Sequence, residues 1–170
     1  RKGVDSSKNI SFLGCIADVY SEINNDKIIS IDSLIQDKLL DILTIDNFIK
    51  YQNGNLISEF QSKNVDDIDI ELVKESKIYE VLHKSNIIQL KKIISSHNNF
   101  KLILQQDSSV IDYKYVWDLI CDKNKSLFPE GVNLIILELP QDDITSNVNI
   151  ICPSNFYSNS KFDINKIKNV

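Results

Sequence analysis

Apolar residues in the first half of the chain recur every three or four positions, which is the spacing of helices with one buried face. Ser30 and Thr44 each precede such a stretch, and both residue types cap helices by accepting a backbone N–H. Asn53 and Gly54 tolerate left-handed backbone and should end the third helix, with another helical turn or two after them. The predicted apolar stripes are Phe12–Ile23, Ile31–Leu43, Ile45–Ile49 and Leu56–Phe60.

The helical pattern continues from Val65 to Ser96. Carboxylates crowd its beginning, where the helix dipole favours negative charge. The polar run His83–Asn86 predicts a break, and a further helix should begin at Ile87. The polar run His97–Asn99 indicates that this helix closes there.

Short apolar runs replace the helical period after residue 99. Phe100–Leu104 is typical of a buried strand, and Tyr115–Cys121 is typical of a helix. Val132–Leu139 gives the strongest strand signal, and Val148–Cys152 predicts a further short strand. A strand, a helix and a strand within about 35 residues favour a right-handed parallel crossover. The last two strands are close enough in sequence to pair as neighbours.

These elements predict a mixed, helix-rich α/β fold. A helical N-terminal half is followed by a small sheet of about three strands with a crossover helix. Because no linker or repeat separates the halves, we expect a single mixed domain over residues 1–170, with a helical part over 1–97 and a small α/β part over 98–170.

The composition carries a signature of origin. The chain has 28 Ile, 18 Asn and 18 Lys against one Ala and one Arg, which no fold requires and which the codons of an AT-rich genome would produce. It contains no Met and begins Arg1-Lys2. We therefore expect a segment excised from a longer protein.

The charge and the length of the apolar runs argue against two classes of partner, nucleic acid and membrane. A formal charge of −5 and a single Arg do not fit a nucleic-acid-binding surface, which is normally basic and rich in Arg. The run Leu134–Leu137 is far shorter than the roughly 20 apolar residues that cross a bilayer. We expect neither nucleic-acid binding by this segment alone nor membrane insertion.

The reactive side chains do not form a recognisable site. The four Gly residues stand apart, which removes phosphate-binding and dinucleotide loops. His83 and His97 lack the spacing of a zinc set, and each is expected near a helix C-terminus. Trp117 is expected in the core, although an exposed Trp would anchor a partner. Buried, reduced thiols are expected for three cysteines: Cys15, Cys121 and Cys152.

One acidic stretch leaves two interpretations open. Glu138, Asp142 and Asp143 follow the strongest predicted strand, as the carboxylates of a metal-dependent nuclease would, but Pro140 stands where such a site has Lys. Upstream, only Asp107 lies at a predicted strand end. A strand-terminating acidic turn is the favoured interpretation. We assign no catalytic, cofactor or metal-binding residue, and take Glu138, Asp142 and Asp143 as a candidate surface contact.

Three groups of segments resemble large proteins of nucleocytoplasmic large DNA viruses, mimivirus-like viruses included. The segments are Arg1–Val4 with Ser11–Asp18; Leu43–Ile49 with Tyr51–Leu56; and Gly131–Glu138 with Asp142–Thr145 and Cys152–Asn155. The African swine fever virus member of this group is associated with the minor capsid and the viral RNA polymerase. The resemblance brings no catalytic motif.

The resemblance implies a non-enzymatic interaction domain of a large viral protein, contributing to virion architecture or to the viral transcription machinery. Its partners would be the rest of the parent chain, capsid proteins or polymerase subunits, and its location the virus factory in the host cytoplasm or the virion. The alternative is a degenerate nuclease-like α/β domain that handles nucleic acid. That alternative requires the strands at Phe100 and Val132 to lie side by side.

Overall fold

The structure is a computed structural model that describes residues 11–24, 29–106, 111–138 and 147–152. Its first element is the predicted N-terminal helix, α1, which spans Ser11–Asn24. Leu13, Ile16 and Ala17 are buried on one side of this helix. Of the predicted stripe, Ile16 and Tyr20 are buried but Ile23 is 45% exposed, so the buried face is shifted from the one that the spacing predicts.

The second predicted helix is a continuous helical stretch with a wider turn in its middle. It comprises α2 at Ile31–Leu34, a π-helical turn at Ile35–Leu39 and α3 at Leu40–Ile42. Ser30 caps it as predicted, accepting the backbone N–H of Ser33 at 3.1 Å.

A short helix and a left-handed turn follow, both as predicted. Helix α4 spans Ile45–Phe48 and is capped by Thr44, whose Oγ1 accepts the N–H of Asn47 at 3.3 Å. The 3-10 turn Tyr51–Gly54 then carries positive φ angles at three successive residues, the last being Gly54 at 86°. Helix α5 continues from Asn55 to Phe60.

The segment between α5 and the break contains less regular helix than the pattern predicts. It forms a 3-10 turn at Ile70–Val73 and a helix, α6, at Lys77–Leu82. The carboxylate of Asp46 accepts the N–H groups of both Lys77 and Ile78, each at 3.0 Å. A side chain from α4 thus satisfies backbone donors that α6 cannot pair internally.

Helix α7 is the longest element of the described residues and corrects two predictions. It begins after the predicted break, with Asn86 as its cap, and spans Ile87–Gln105. The predicted strand Phe100–Leu104 is wrong because these residues form the last turns of α7. The predicted stop at His97–Asn99 is also wrong, since the buried positions continue at helical spacing through the stop: Leu90, Ile93, Ile94, His97, Phe100 and Leu104.

The rest of the described chain supplies one helix and two short strands. Helix α8 spans Tyr113–Cys121, as predicted. Strands β1, Ile136–Glu138, and β2, Asn149–Ile151, pair antiparallel, which confirms that the last two predicted strands are neighbours. The helix-rich class is confirmed. The described residues contain two strands and no parallel crossover, because the segment predicted as the first strand of that crossover forms a helix.

The core lies between α7 and the helices packed around it. Phe100 contacts the rings of Phe48 and Phe60, with centroid distances of 5.6 and 5.0 Å, and Phe60 contacts Tyr115 at 5.1 Å. We call these four residues the aromatic cluster. Helix α7 runs through positions 97 and 98, so in the described residues the change from helix to strand comes only after Cys121.

Candidate functional site

The acidic candidate surface contact is only partly within the described residues. Glu138 is exposed at the end of β1, where its Oε2 accepts the side-chain N–H of Asn149 at 3.5 Å. Asp142 and Asp143 lie outside the described residues, as does Asp107. The structure therefore places Glu138 on an open surface and leaves its grouping with the two aspartates a prediction.

The strand arrangement that a nuclease-like site needs is not formed at Phe100. Phe100 lies inside α7, and the strand that pairs with β1 is β2. Within residues 11–24, 29–106, 111–138 and 147–152, no group of three or more His, Cys, Asp or Glu side chains is arranged to hold a metal ion.

The two histidines serve as packing and capping groups. His83 is the C-cap residue of α6, as predicted, and its Nδ1 lies 2.8 Å from the carbonyl oxygen of Tyr79. His97 instead lies in the middle of α7, 6% exposed, with Nε2 2.9 Å from the carbonyl oxygen of Leu43. Burial lowers the pKa of His97, so its ring is neutral at neutral pH and donates from Nε2.

The cysteines occupy three different environments. Cys121 is buried, as predicted, and burial raises the pKa of its thiol to about 12, which leaves almost no nucleophilic thiolate. Cys15 is half-buried, and its pKa is also raised by burial. Cys152 is exposed, so its predicted burial is wrong. Trp117 is buried, as predicted, which removes it as an exposed anchor.

A mixed cleft of about 500 Å³ lies between residues 40–46 and residues 71–76. His97 and Lys101 of α7 also line it. One of its carboxylates, Asp46, is already occupied in capping α6. Glu138 is not among the residues that line this cleft, so the cleft and the acidic contact are separate features.

The most unusual surface belongs to the antiparallel pair β1–β2, which we call the ribbon. Leu137 and Ile150 are directly opposed across it, and each is 67% exposed. Ile135 and Val148 directly precede the two strands, at opposite ends of the antiparallel ribbon, and are 52% and 48% exposed. Side chains two apart on a strand point to the same side. We call these four residues the ribbon face.

The opposite side of the ribbon is covered only in part, since Glu138 and Asn149, which are opposed on that side, are exposed. Ile136 and Ile151, which are opposed across the two strands, are both half-buried. The chain leading into β1 is bonded to α8, because the N–H of Val132 donates to the carbonyl oxygen of Cys121 at 3.0 Å. The chain that leads into the ribbon is thus attached to α8, and the side of the ribbon that carries Leu137 and Ile150 is open.

Sequence reasoning missed the exposure of the ribbon face. The run Leu134–Leu137 is continuously apolar, so it predicts a strand without indicating that one side is open. The signal for an open side lies in the second strand, where Asn147 and Asn149 alternate with Val148 and Ile150. Such alternation is typical of a strand with two unlike faces.

The comparisons with known proteins leave the family open. No protein-family model matches the chain, and neither a curated protein nor a solved structure matches it. In the part of the chain that the structure describes, no helix has the length and apolar character needed to span a membrane.

Proposed function

We propose that this chain is a protein-interaction domain that contacts its partner through the ribbon face. The observation that carries the proposal is the exposure of Leu137 and Ile150, two opposed aliphatic side chains that each leave two thirds of their surface open. Scattered exposed aliphatic residues need no explanation, but a grouped set marks an interaction surface.

The energetics favour covering this face. Full burial of one Val, Leu or Ile side chain contributes about 1.5–3 kcal/mol, and the four side chains here are about half open. A partner would therefore gain a few kcal/mol in gross terms from the ribbon face. Part of this free energy offsets the entropy that the two molecules lose when they associate, so the ribbon face supports a modest affinity.

The charge of the chain helps to define the class of partner. The chain has a net charge of −5, and Glu138 is exposed at the end of β1. Because both repel phosphate backbones, a protein partner is favoured over nucleic acid. The resemblance to large viral proteins extends the proposal to virion architecture or viral transcription. Candidate partners are the rest of the parent chain, capsid proteins and polymerase subunits, in the virus factory of the host cytoplasm or in the virion.

A site-specific photo-crosslinking experiment tests the proposal. A photoreactive amino acid replaces Leu137 or Ile150 in the parent protein as its host cell makes it. The matched control replaces Leu72, which is 75% exposed but lies on the 3-10 turn Ile70–Val73, away from the ribbon. We expect defined adducts from the two ribbon positions, several times more abundant than from position 72. Equal or absent adducts at all three positions would contradict the proposal.

A further inference from the structure

In the described residues β2 pairs with β1 on one side, and no third strand lies along its other side. Residues 147–150 and Cys152 are exposed, with only Ile151 half-buried. The chain before β1, by contrast, is bonded to Cys121. Among the described residues both strands have an outer edge with no strand beside it, and β2 is the more accessible of the two because the chain leading into β1 is bonded to α8.

An open edge and an apolar face together specify one geometry of binding. The edge offers main-chain N–H and C=O groups that pair readily with an extended chain. A strand laid beside β2 would direct every second side chain to the side of the sheet that carries Val148 and Ile150. Cross-strand pairs between aliphatic side chains stabilise such an arrangement.

We propose, on the basis of the function proposed above, that the partner binds by strand addition. The occupant is an extended segment of a partner protein with aliphatic residues at alternate positions, paired along β2. Because Glu138 is exposed beside β2 and the chain carries a charge of −5, the segment is basic at its ends.

A second folded copy of the chain fits this surface less well. A stable interface between folded proteins uses about 20–30 residues from each side, whereas the ribbon face supplies the four described above. Two copies of the same chain would also bring like charges together, since each carries −5. A short segment gains backbone hydrogen bonds along the edge and needs no large complementary surface.

Two synthetic peptides test strand addition. The probe is KITVTIK, which alternates aliphatic and polar residues between two lysines, and its matched control is KITPTIK, in which proline removes one main-chain donor and disfavours a strand. Each peptide is titrated into the isotope-labelled chain while backbone amide signals are followed by NMR. We expect saturable shifts concentrated at residues 147–152 and affinity at least about tenfold lower for the proline peptide.

Two variants of the chain give the second measurement. Ile150→Lys should weaken KITVTIK binding about tenfold by removing an apolar contact and adding a like charge. Leu72→Lys introduces the same charge at an exposed aliphatic position elsewhere and should leave the affinity unchanged. Both side chains are mostly exposed, so folding should be preserved in both variants.

Three outcomes would overturn strand addition. They are absence of saturable binding, equal affinity for the two peptides, and a peptide-independent dimer that Ile150→Lys abolishes, which would identify a second copy as the occupant. If the peptides fail while crosslinks from position 137 persist, the interaction function stands and only its geometry is wrong. If the crosslinks are also lost, the proposed function fails as well.

Discussion

In the aromatic cluster, Phe48 and Phe60 pack against Phe100 and all three are buried, whereas on the ribbon face large apolar side chains are open. Phe100 is 1% exposed between Phe48 and Phe60, while Leu137 and Ile150 are each 67% exposed. Both regions have strongly apolar sequences. The difference teaches that an apolar sequence does not by itself determine burial: packing around α7 closes Phe100 off from solvent, whereas Leu137 and Ile150 oppose each other and stay open.

The largest effect should come from the aromatic cluster. Phe100→Ala removes a ring from a closed core and should lower the free energy of unfolding by about 3–5 kcal/mol. Leu102→Ala, two residues along the same helix, removes a side chain that is 57% exposed and should cost far less. Urea denaturation of both variants measures the contrast. Similar losses from the two substitutions would show that α7 does not present Phe100 to the core.

A smaller effect should follow from the contact between the left-handed turn and α8. The carboxylate of Asp118 accepts the backbone N–H of Gln52, and the side-chain amide of Gln52 donates to the carbonyl oxygen of Lys114. Asp118→Ala leaves that N–H without its acceptor and should cost about 1–3 kcal/mol of unfolding free energy. Asp118→Asn keeps an acceptor oxygen and should cost less in the same denaturation assay. Equal costs would argue against this role of the hydrogen bond.

A pH-dependent effect should come from His97. Burial lowers its pKa below the ordinary value of 6.5, and the charge of Lys101 lowers it further. The unfolded chain therefore takes up the proton first as the pH falls. The stabilisation from neutral His97 is complete above pH 6.5 and declines as the pH falls from there through the lowered pKa of the folded state.

Denaturation of wild type and His97→Gln between pH 5 and 8 measures this effect. Gln carries a side-chain N–H that can replace the donor to Leu43 but does not titrate, so the variant should lose less stability toward pH 5 than the wild type does. Parallel pH profiles for the two proteins would mean that His97 does not contribute to acid sensitivity.

Local signals allowed most of the helical part to be predicted. Ser30 and Thr44 cap helices because a hydroxyl can reach an N–H three residues later, which depends only on neighbouring sequence. Gln52 and Asn53 adopt left-handed backbone directly before Gly54, where a turn was expected. Such features need no knowledge of distant contacts.

The errors arose where distant contacts decide the structure. Asn99 resembles a helix stop, but its amide donates to the carbonyl oxygen of Phe60 at 2.7 Å and to the hydroxyl of Ser62 at 3.0 Å, which anchors α7 as it continues. The apolar run Phe100–Leu104 fits a strand or a helix equally well, and packing against Phe48 and Phe60 makes it helical.

The candidate site was predictable only in part. Glu138 is exposed at the end of β1, as expected for a residue that begins an acidic turn after a strand. The exposure of Leu137 could not be predicted from its own neighbours, because a continuous apolar run does not reveal which side will be covered. Only the Asn–Val–Asn–Ile alternation of residues 147–150 carried that information.

The smallest expected effect tests the central claim. That claim is that the ribbon face is exposed to solvent and is not needed for the stability of the chain on its own. The double substitution Leu137→Lys with Ile150→Glu, which places opposite charges across the opposed pair, should change the free energy of unfolding in urea by no more than about 0.5 kcal/mol per site, because both side chains already face solvent. Retained stability, with the paired strands intact by NMR, is the result we predict. A loss of several kcal/mol would show that the chain covers this face itself, and would contradict its assignment as a docking surface.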